Sequence, residues 1–226
     1  MNTLYITGAG VSAESGIPTF RGEDGFWTIG SKNYTPQEMA TRHMYENNST
    51  EFLSWYYQRF ATYRNHGPND VHFWLADKNL ITQNIDGLHQ RSGSTNVLEL
   101  HGSIIRIKCT VCDFTDNITE NFESLPPKCK CGSMLRPDVV WFGEPLPQNI
   151  WQSAIKEASI CDVMIIVGTS LVVSPANTLP VYAKQNGAIL IEVNPEKTVM
   201  SNDMTLSIQA TSVGVLPKML SIFKNE

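Results

Sequence analysis

Basic residues are in short supply: 17 Lys and Arg stand against 22 Asp and Glu, a formal charge of −5, and nowhere do Lys and Arg form a run. The electrostatic footprint of a direct nucleic-acid binder is therefore missing. No apolar stretch approaches the ~20 residues that a spanning helix needs, so no membrane partner is expected. The opening residues 1–7 lack the basic and long apolar regions of an export signal, which predicts a cytoplasmic location. Internal repeats and low-complexity tracts are absent. Cysteine is scarce, with five among 226 residues, but four of the five fall between Cys109 and Cys131.

That clustering carries chemistry. Two residues separate Cys109 from Cys112, one separates Cys129 from Cys131, and sixteen separate the pairs. Thiolates bind zinc tetrahedrally, and two close pairs on turns deliver four sulfurs. Buried or disulfide-bonded cysteines would be more dispersed, and a reducing compartment disfavours disulfides. Four thiolates fill the shell, so one structural zinc ion is expected to brace a small lobe while catalysis occurs elsewhere. The single-residue spacer predicts that the second knuckle is tighter than the first. Cys161 opens an apolar run and reads as a small core residue.

With 42% hydrophobic residues the chain has enough apolar content for an ordinary core. Short, nearly continuous apolar runs at residues 4–7, 80–82, 97–100, 163–167 and 188–193 read as strands covered on both faces, with helical segments at 150–158 and 178–185 between the later ones. The expected fold is α/β: a Rossmann-like parallel sheet domain (residues 1–30, 70–103 and 137–226) with a smaller helical and zinc-ribbon lobe (31–69 and 104–136). Four strands end in small or polar clusters. In open α/β sheets ligands sit beyond those carboxyl ends, so the clusters should converge on one crevice.

The first cluster, Gly8-Ala9-Gly10-Val11-Ser12-Ala13, follows a strand and predicts a helix opening. It has the G-x-G-x-x-A form that lets backbone N–H groups approach a pyrophosphate. Gly16-Ile17-Pro18 then stops that helix after little more than a turn, which disfavours an ordinary dehydrogenase. The stretch from Gly8 to Gly22, together with Thr82-Gln83-Asn84-Ile85-Asp86-Gly87-Leu88-His89, Leu100-His101-Gly102-Ser103, Gly168-Thr169-Ser170 and Val193-Asn194-Pro195-Glu196, resembles the sirtuin family. The matching motifs and the zinc cysteines run in family order from residue 8 to residue 217.

The resemblance implies an NAD-dependent protein deacylase that moves an acyl group from lysine to ADP-ribose and releases nicotinamide. It implies that Gly8, Ala9, Gly10, Ser12, Ala13, Glu14, Pro18, Thr19, Phe20, Arg21 and Trp27 wrap the pyrophosphate and nicotinamide end. Gln83, Asn84, Ile85 and Asp86 would line the nicotinamide and ribose pocket, Asp86 accepting from the carboxamide and Asn84 holding a ribose hydroxyl or water. Gly168, Thr169, Ser170, Asn194, Pro195 and Glu196 would take the adenosine half, with Ser212 as the last adenine contact. His101 is the implied proton acceptor, and imidazole suits that task near neutral pH; a lone histidine after an apolar run would otherwise be a bonded core residue. His43, His66, His72 and His89 are read as surface or structural groups.

Val140, Trp141, Phe142, Gly143 and Glu144, following Val139, resemble the family's peptide-binding strand, where an extended acyl-lysine substrate adds by backbone hydrogen bonds; a plain buried strand is the alternative. Tyr56 and Arg59 lie three residues apart on a predicted helix and share a face. In the family branch with this Tyr-x-x-Arg pair, the two groups read a distal carboxylate on the acyl chain. Succinyl-lysine is then the expected substrate, with malonyl, glutaryl and acetyl relatives; otherwise Arg59 is solvated and Tyr56 packs in the lobe. A protein ADP-ribosyltransferase and a non-enzymatic NAD-sensing module are the rival classes. The partners expected are acyl-lysine peptides or proteins, and the expected state is a monomer.

Overall fold

A computed structural model describes residues 1–19, 36–118, 122 and 125–223. Six strands form one parallel sheet: β1 (Thr3–Thr7), β2 (Asn79–Thr82), β3 (Val97–Glu99), β7 (Val163–Val167), β8 (Ile189–Val193) and β9 (Leu206–Ile208), in spatial order β3-β2-β1-β7-β8-β9. The chain moves outward from β1 in one direction and from β7 in the other. The order therefore reverses between β1 and β7, and their carboxyl ends open the crevice that such a switch point creates. All five residues of β7 are buried, as its unbroken Val-Met-Ile-Ile-Val requires.

The remaining strands, β4 (Gly102–Cys109), β5 (Thr115–Asn117) and β6 (Leu135–Val139), make an antiparallel sheet in the order β5-β4-β6. Helices α1 (Pro36–Met39), α2 (Arg42–Asn47), α3 (Ser49–Asn65) and α4 (Asp70–Leu75) follow one another before β2. The short α5 (Leu88–Arg91) follows β2, and α6 (Gln148–Ile160), α7 (Leu179–Gln185) and α8 (Ser212–Phe223) accompany the later strands. Among the described residues no helix is long and apolar enough to cross a membrane.

Three cores result. One sheet face buries Leu4, Ile6, Ile81 and Ile166 against Ala154 and Ala158 of α6; the other buries Tyr5, Leu80 and Val167 against Val71 and Leu75 of α4 and Leu216 of α8. Alternate residues of β1 supply the two faces, the period-2 rule of a strand. The third core joins Phe52, Leu53 and Tyr56 of α3 to Ile104 and Ile107 of β4, Leu135 of β6 and Trp141. Truncating a fully buried residue such as Ile6 to Ala would cost about 2–5 kcal/mol.

Two expectations need correction. No α-helix opens at Gly8: two 3-10 turns, Ala9–Val11 and Ala13–Ser15, take its place, and Gly16 ends them in the left-handed region at φ 85°. Ser12 at their junction is held by side-chain bonds to neighbouring loops, which competes with helix propagation. The apolar run after the zinc lobe also ends as a strand at Val139. Residues 140–144 form a loop instead, turned at Gly143 (φ 84°) and held to other segments by Val140 N–H to His101 O at 2.9 Å and Phe142 N–H to Ala40 O at 2.9 Å. The short strands β5 (Thr-Asp-Asn) and β9 (Leu-Ser-Ile) lack the apolar run that makes the equally short β3 legible.

Candidate active site

The crevice begins where two glycine turns press together. A Cβ on Gly8 would lie 2.6 Å from Thr169 Cβ, and one on Gly10 would lie 2.7 Å from Gly168 Cα. Only glycine lets the loops after β1 and β7 approach this closely. Gly8 N–H donates to Val167 O at 3.1 Å and Gly168 N–H to Val193 O at 3.0 Å, so the ends of β1, β7 and β8 are joined into one rim.

The loop after β2 contributes the polar centre. Asn84 Nδ2 donates to Gly8 O at 3.1 Å and to Ser12 Oγ at 3.2 Å, while the Ser12 hydroxyl donates to Asp86 Oδ2 at 2.7 Å. Leu88 N–H donates to Asp86 Oδ1 at 2.9 Å. Burial raises the Asp86 carboxyl above its usual range, and the Leu88 and Ser12 donors oppose that rise. Asn84 Oδ1 is buried with no partner among the described residues, an acceptor open to a ligand hydroxyl. Ala9, Ser12, Pro18, Asn84, Ile85 and Asp86 line one narrow cavity, together with Ile17 and Tyr63, two residues that sequence reasoning missed. Tyr63 has no local signal, because α3 brings it there from outside every motif.

Beside this cavity, His101 Nδ1 lies 2.9 Å from the carbonyl oxygen of Gln83. A carbonyl only accepts, so Nδ1 carries the proton and Nε2 is left with the lone pair of a base. Burial lowers the His101 pKa, and the Gln83 carbonyl partly counters it, keeping the imidazole neutral near neutral pH. Gln83 itself is held by Thr169 Oγ1 at 3.0 Å.

Two histidines read as surface or structural lie in the interior. His72 and His89 are 0% and 1% exposed, with rings 4.9 Å apart. His72 Nε2 lies 3.3 Å from Ser12 Oγ, and Asn69 N–H donates to His72 Nδ1 at 3.2 Å. Since Ser12 gives its proton to Asp86, His72 donates from Nε2 into the same network. His89 Nε2 meets Thr7 Oγ1 at 3.0 Å. Burial pushes His72 down to about 4 and His89 to about 3, so both are neutral at pH 7. The Asn69/His72 capping box starts α4, each side chain bonding to the other residue's backbone N–H.

The other expected site residues lie in the loops after β1, β7 and β8 and at the start of α8. Thr169 is buried and Ser170 half-buried after β7; Asn194 follows β8 and donates from Nδ2 to Glu196 O at 2.7 Å, with Pro195 and Glu196 exposed. Ser212 is 4% exposed with no partner for Oγ among the described residues, at the start of α8. Ala13, Glu14 and Pro18 are exposed, and Thr19 is half-buried. Phe20, Arg21 and Trp27 lie outside the described residues, as does the side chain of Arg59.

Tyr56 is 4% exposed and stacks on Phe52 with centroids 4.7 Å apart. Trp141 is 2% exposed, Phe142 45% exposed, Val140 half-buried. The Trp141 and Glu144 side chains turn into the protein, where both engage Arg136, and Phe142 is the exposed large side chain of residues 140–144.

The four cysteine sulfurs lie within 4.8 Å of one another, with Cys109 to Cys131 at 3.5 Å and Cys112 to Cys129 at 3.6 Å. Zn–S bonds of about 2.3 Å in a tetrahedron put sulfurs about 3.8 Å apart, so the quartet fits zinc. Val111 and Cys112 N–H both donate to Cys109 Sγ at 3.4 Å. The tight second knuckle closes by Gly132 N–H to Cys129 O at 2.9 Å, with Gly132 at φ 87°. Ser133 donors draw the Cys131 thiol below its ordinary range, toward the thiolate that binds metal.

A family model described as "Sir2 family" matches residues 8–175. An NAD-dependent protein deacylase 1 of Caldanaerobacter subterraneus subsp. tengcongensis is 47% identical over 220 residues, covering 93% of this chain and 89% of that protein. The crystal structure of a Sir2 homolog–NAD complex superposes with a TM-score of 0.90 at 41% identity, covering 99% of this chain and 90% of the other. A Sir2–p53 peptide–NAD+ structure does so with a TM-score of 0.87 at 32% identity, covering 100% and 94%.

Proposed function

The chain belongs to the Sir2 family, and on that premise we propose that it is an NAD-dependent protein-lysine deacylase preferring acyl groups that end in a carboxylate. One observation carries the activity: a buried Ser12–Asn84–Asp86 centre lies beside a histidine whose Nδ1 is committed to Gln83 O, leaving Nε2 as base. In the proposed reaction the acyl oxygen attacks the ribose C1′ of NAD and nicotinamide leaves. Asp86 accepts from the carboxamide NH2, and Asn84 Oδ1 takes a ribose hydroxyl or water. His101 Nε2 then receives the 2′-hydroxyl proton, the 2′-oxygen adds to the imidate carbon, and water releases lysine and O-acyl-ADP-ribose. The adenosine half is assigned to Ser170, Asn194, Glu196 and Ser212, and the zinc ion to a structural role.

The acidic-acyl preference rests on Tyr56 and Arg59, one helical turn apart on α3. Tyr56 is packed beside Trp141, next to the segment proposed to take the peptide, with ring centroids 6.3 Å apart. The protein is proposed to act as a cytoplasmic monomer. Incubation with NAD and matched acetyl, malonyl, succinyl and glutaryl peptides, followed by mass spectrometry, tests the whole reading. O-acyl-ADP-ribose with fastest loss of the succinyl group is expected. NAD consumption without loss of peptide mass rules out deacylation, and an ADP-ribosylated protein product would point to the transferase.

A further inference from the structure

We propose that Arg136, which lies outside every residue assigned to the site, sets the acyl-lysine channel by holding Trp141 against the aromatic cluster of α2 and α3. It is a positioning residue, and the proposal rests on the deacylase reading through the assignment of Tyr56 and residues 140–144 to the acyl-lysine side. Strand β6 stops at Val139, and the chain then closes around the Arg136 side chain. Arg136 Nη1 donates to Glu144 Oε1 at 2.6 Å, and Nη2 donates to Glu144 Oε2 at 2.9 Å and to Val139 O at 2.8 Å. Glu144 Oε2 also accepts from Trp141 N–H at 3.0 Å. Burial alone would raise the Glu144 carboxyl, but Arg136 and the Trp141 N–H outweigh it and hold the group below its usual range.

The guanidinium also lies over the indole, its central carbon 3.3 Å from the Trp141 ring centroid. That same indole meets Phe52 edge-on at 4.7 Å, Tyr45 at 5.0 Å and Tyr56 at 6.3 Å. One planar cation thus fixes both the loop's path, through the fork to Glu144, and the ring's position, through stacking. A lysine at this position keeps the charge but supplies neither the two-pronged fork nor the flat face. The loop so fixed bonds through Val140 N–H to the carbonyl of His101, so its path also sets where an acyl-lysine would lie relative to the base.

The test compares the parent with Arg136→Lys, Arg136→Met and the milder Glu144→Gln, each checked for folding by thermal melting. In Arg136→Lys the KM for acyl peptide should rise about tenfold or more while the KM for NAD stays within about twofold, because only acyl-side binding is loosened. Glu144→Gln should show a smaller rise of the same kind, and Arg136→Lys combined with Trp141→Ala should be no worse than Trp141→Ala alone. A peptide KM unchanged in any folded Arg136 variant, or both KM values rising together, overturns the proposal. If the parent removes no acyl group from any peptide, the deacylase reading fails by itself. Calorimetric Kd values for an acyl peptide then decide the inference: weaker binding by Arg136→Lys supports it, and equal binding, or none by the parent, overturns it.

Discussion

The Ser12 hydroxyl donates to Asp86 Oδ2 at 2.7 Å across 74 residues of chain. Burial raises Asp86 and this bond is one of the forces holding it down. Ser12→Ala should therefore raise the Asp86 pKa further. If the carboxylate is the working form, the acid limb of kcat/KM for NAD moves to higher pH, and kcat/KM at pH 7 falls by roughly tenfold or more. A pH–rate profile shows it, and an unmoved acid limb would separate Asp86 from the rate.

His101→Tyr should abolish turnover while leaving NAD binding measurable, because the base is lost but the glycine rim and Asn84 remain. In the parent, the low His101 pKa keeps Nε2 unprotonated below the ordinary value of about 6.5. Deacylation is then expected to stay high at pH 6.5. Turnover by the tyrosine variant at parental rate would remove the histidine from the mechanism.

The buried His72 and His89 pair should make the protein acid-sensitive. Both are neutral when folded, whereas the unfolded chain takes up protons below about pH 6.5. Their stabilisation is fully present above that pH and is lost as pH falls toward about 4 for His72 and about 3 for His89. For His72 alone the gap corresponds to roughly 3 kcal/mol. Urea unfolding at pH 7.5, 6, 5 and 4.5 should show a decline that is shallower in His89→Gln; a flat profile in the parent would refute it.

Chelation should strip one zinc per chain, lower the melting temperature and reduce activity through the lobe, since the sulfurs tie the end of β4 to the segment that leads into β6. Metal analysis alongside melting and turnover measures this. Loss of zinc with fold and rate both unchanged would contradict a bracing role.

Arg59→Met should reduce desuccinylation about tenfold or more relative to deacetylation, because only the acidic acyl group needs a charge-assisted bond. Competition between matched peptides in one vessel gives the ratio directly. Equal losses on both substrates would assign Arg59 no part in reading a carboxylate.

Much of this protein is legible in the chain itself, for physical reasons. A doubly covered strand must be apolar throughout, so the runs that became β1, β2, β7 and β8 announce themselves. A close backbone approach demands glycine, so Gly8, Gly10 and Gly168 mark the crevice. Four clustered thiols mark a metal, and the spacing of Cys109, Cys112, Cys129 and Cys131 is enough to place it. What the chain leaves open is decided by contacts between distant segments. The 3-10 turns at Ala9 and Ala13 replace a helix because Ser12 is engaged by Asn84 and Asp86, more than 70 residues away. His72 and His89 become interior groups because α4 and α5 pack together and bring the two rings side by side. Trp141 is buried among Tyr45, Phe52 and Tyr56 with Arg136 over its ring, an arrangement that brings together segments far apart in the chain. Local spacing determined which chemistry was present; packing decided which of those groups line the cavity and which hold the others in place.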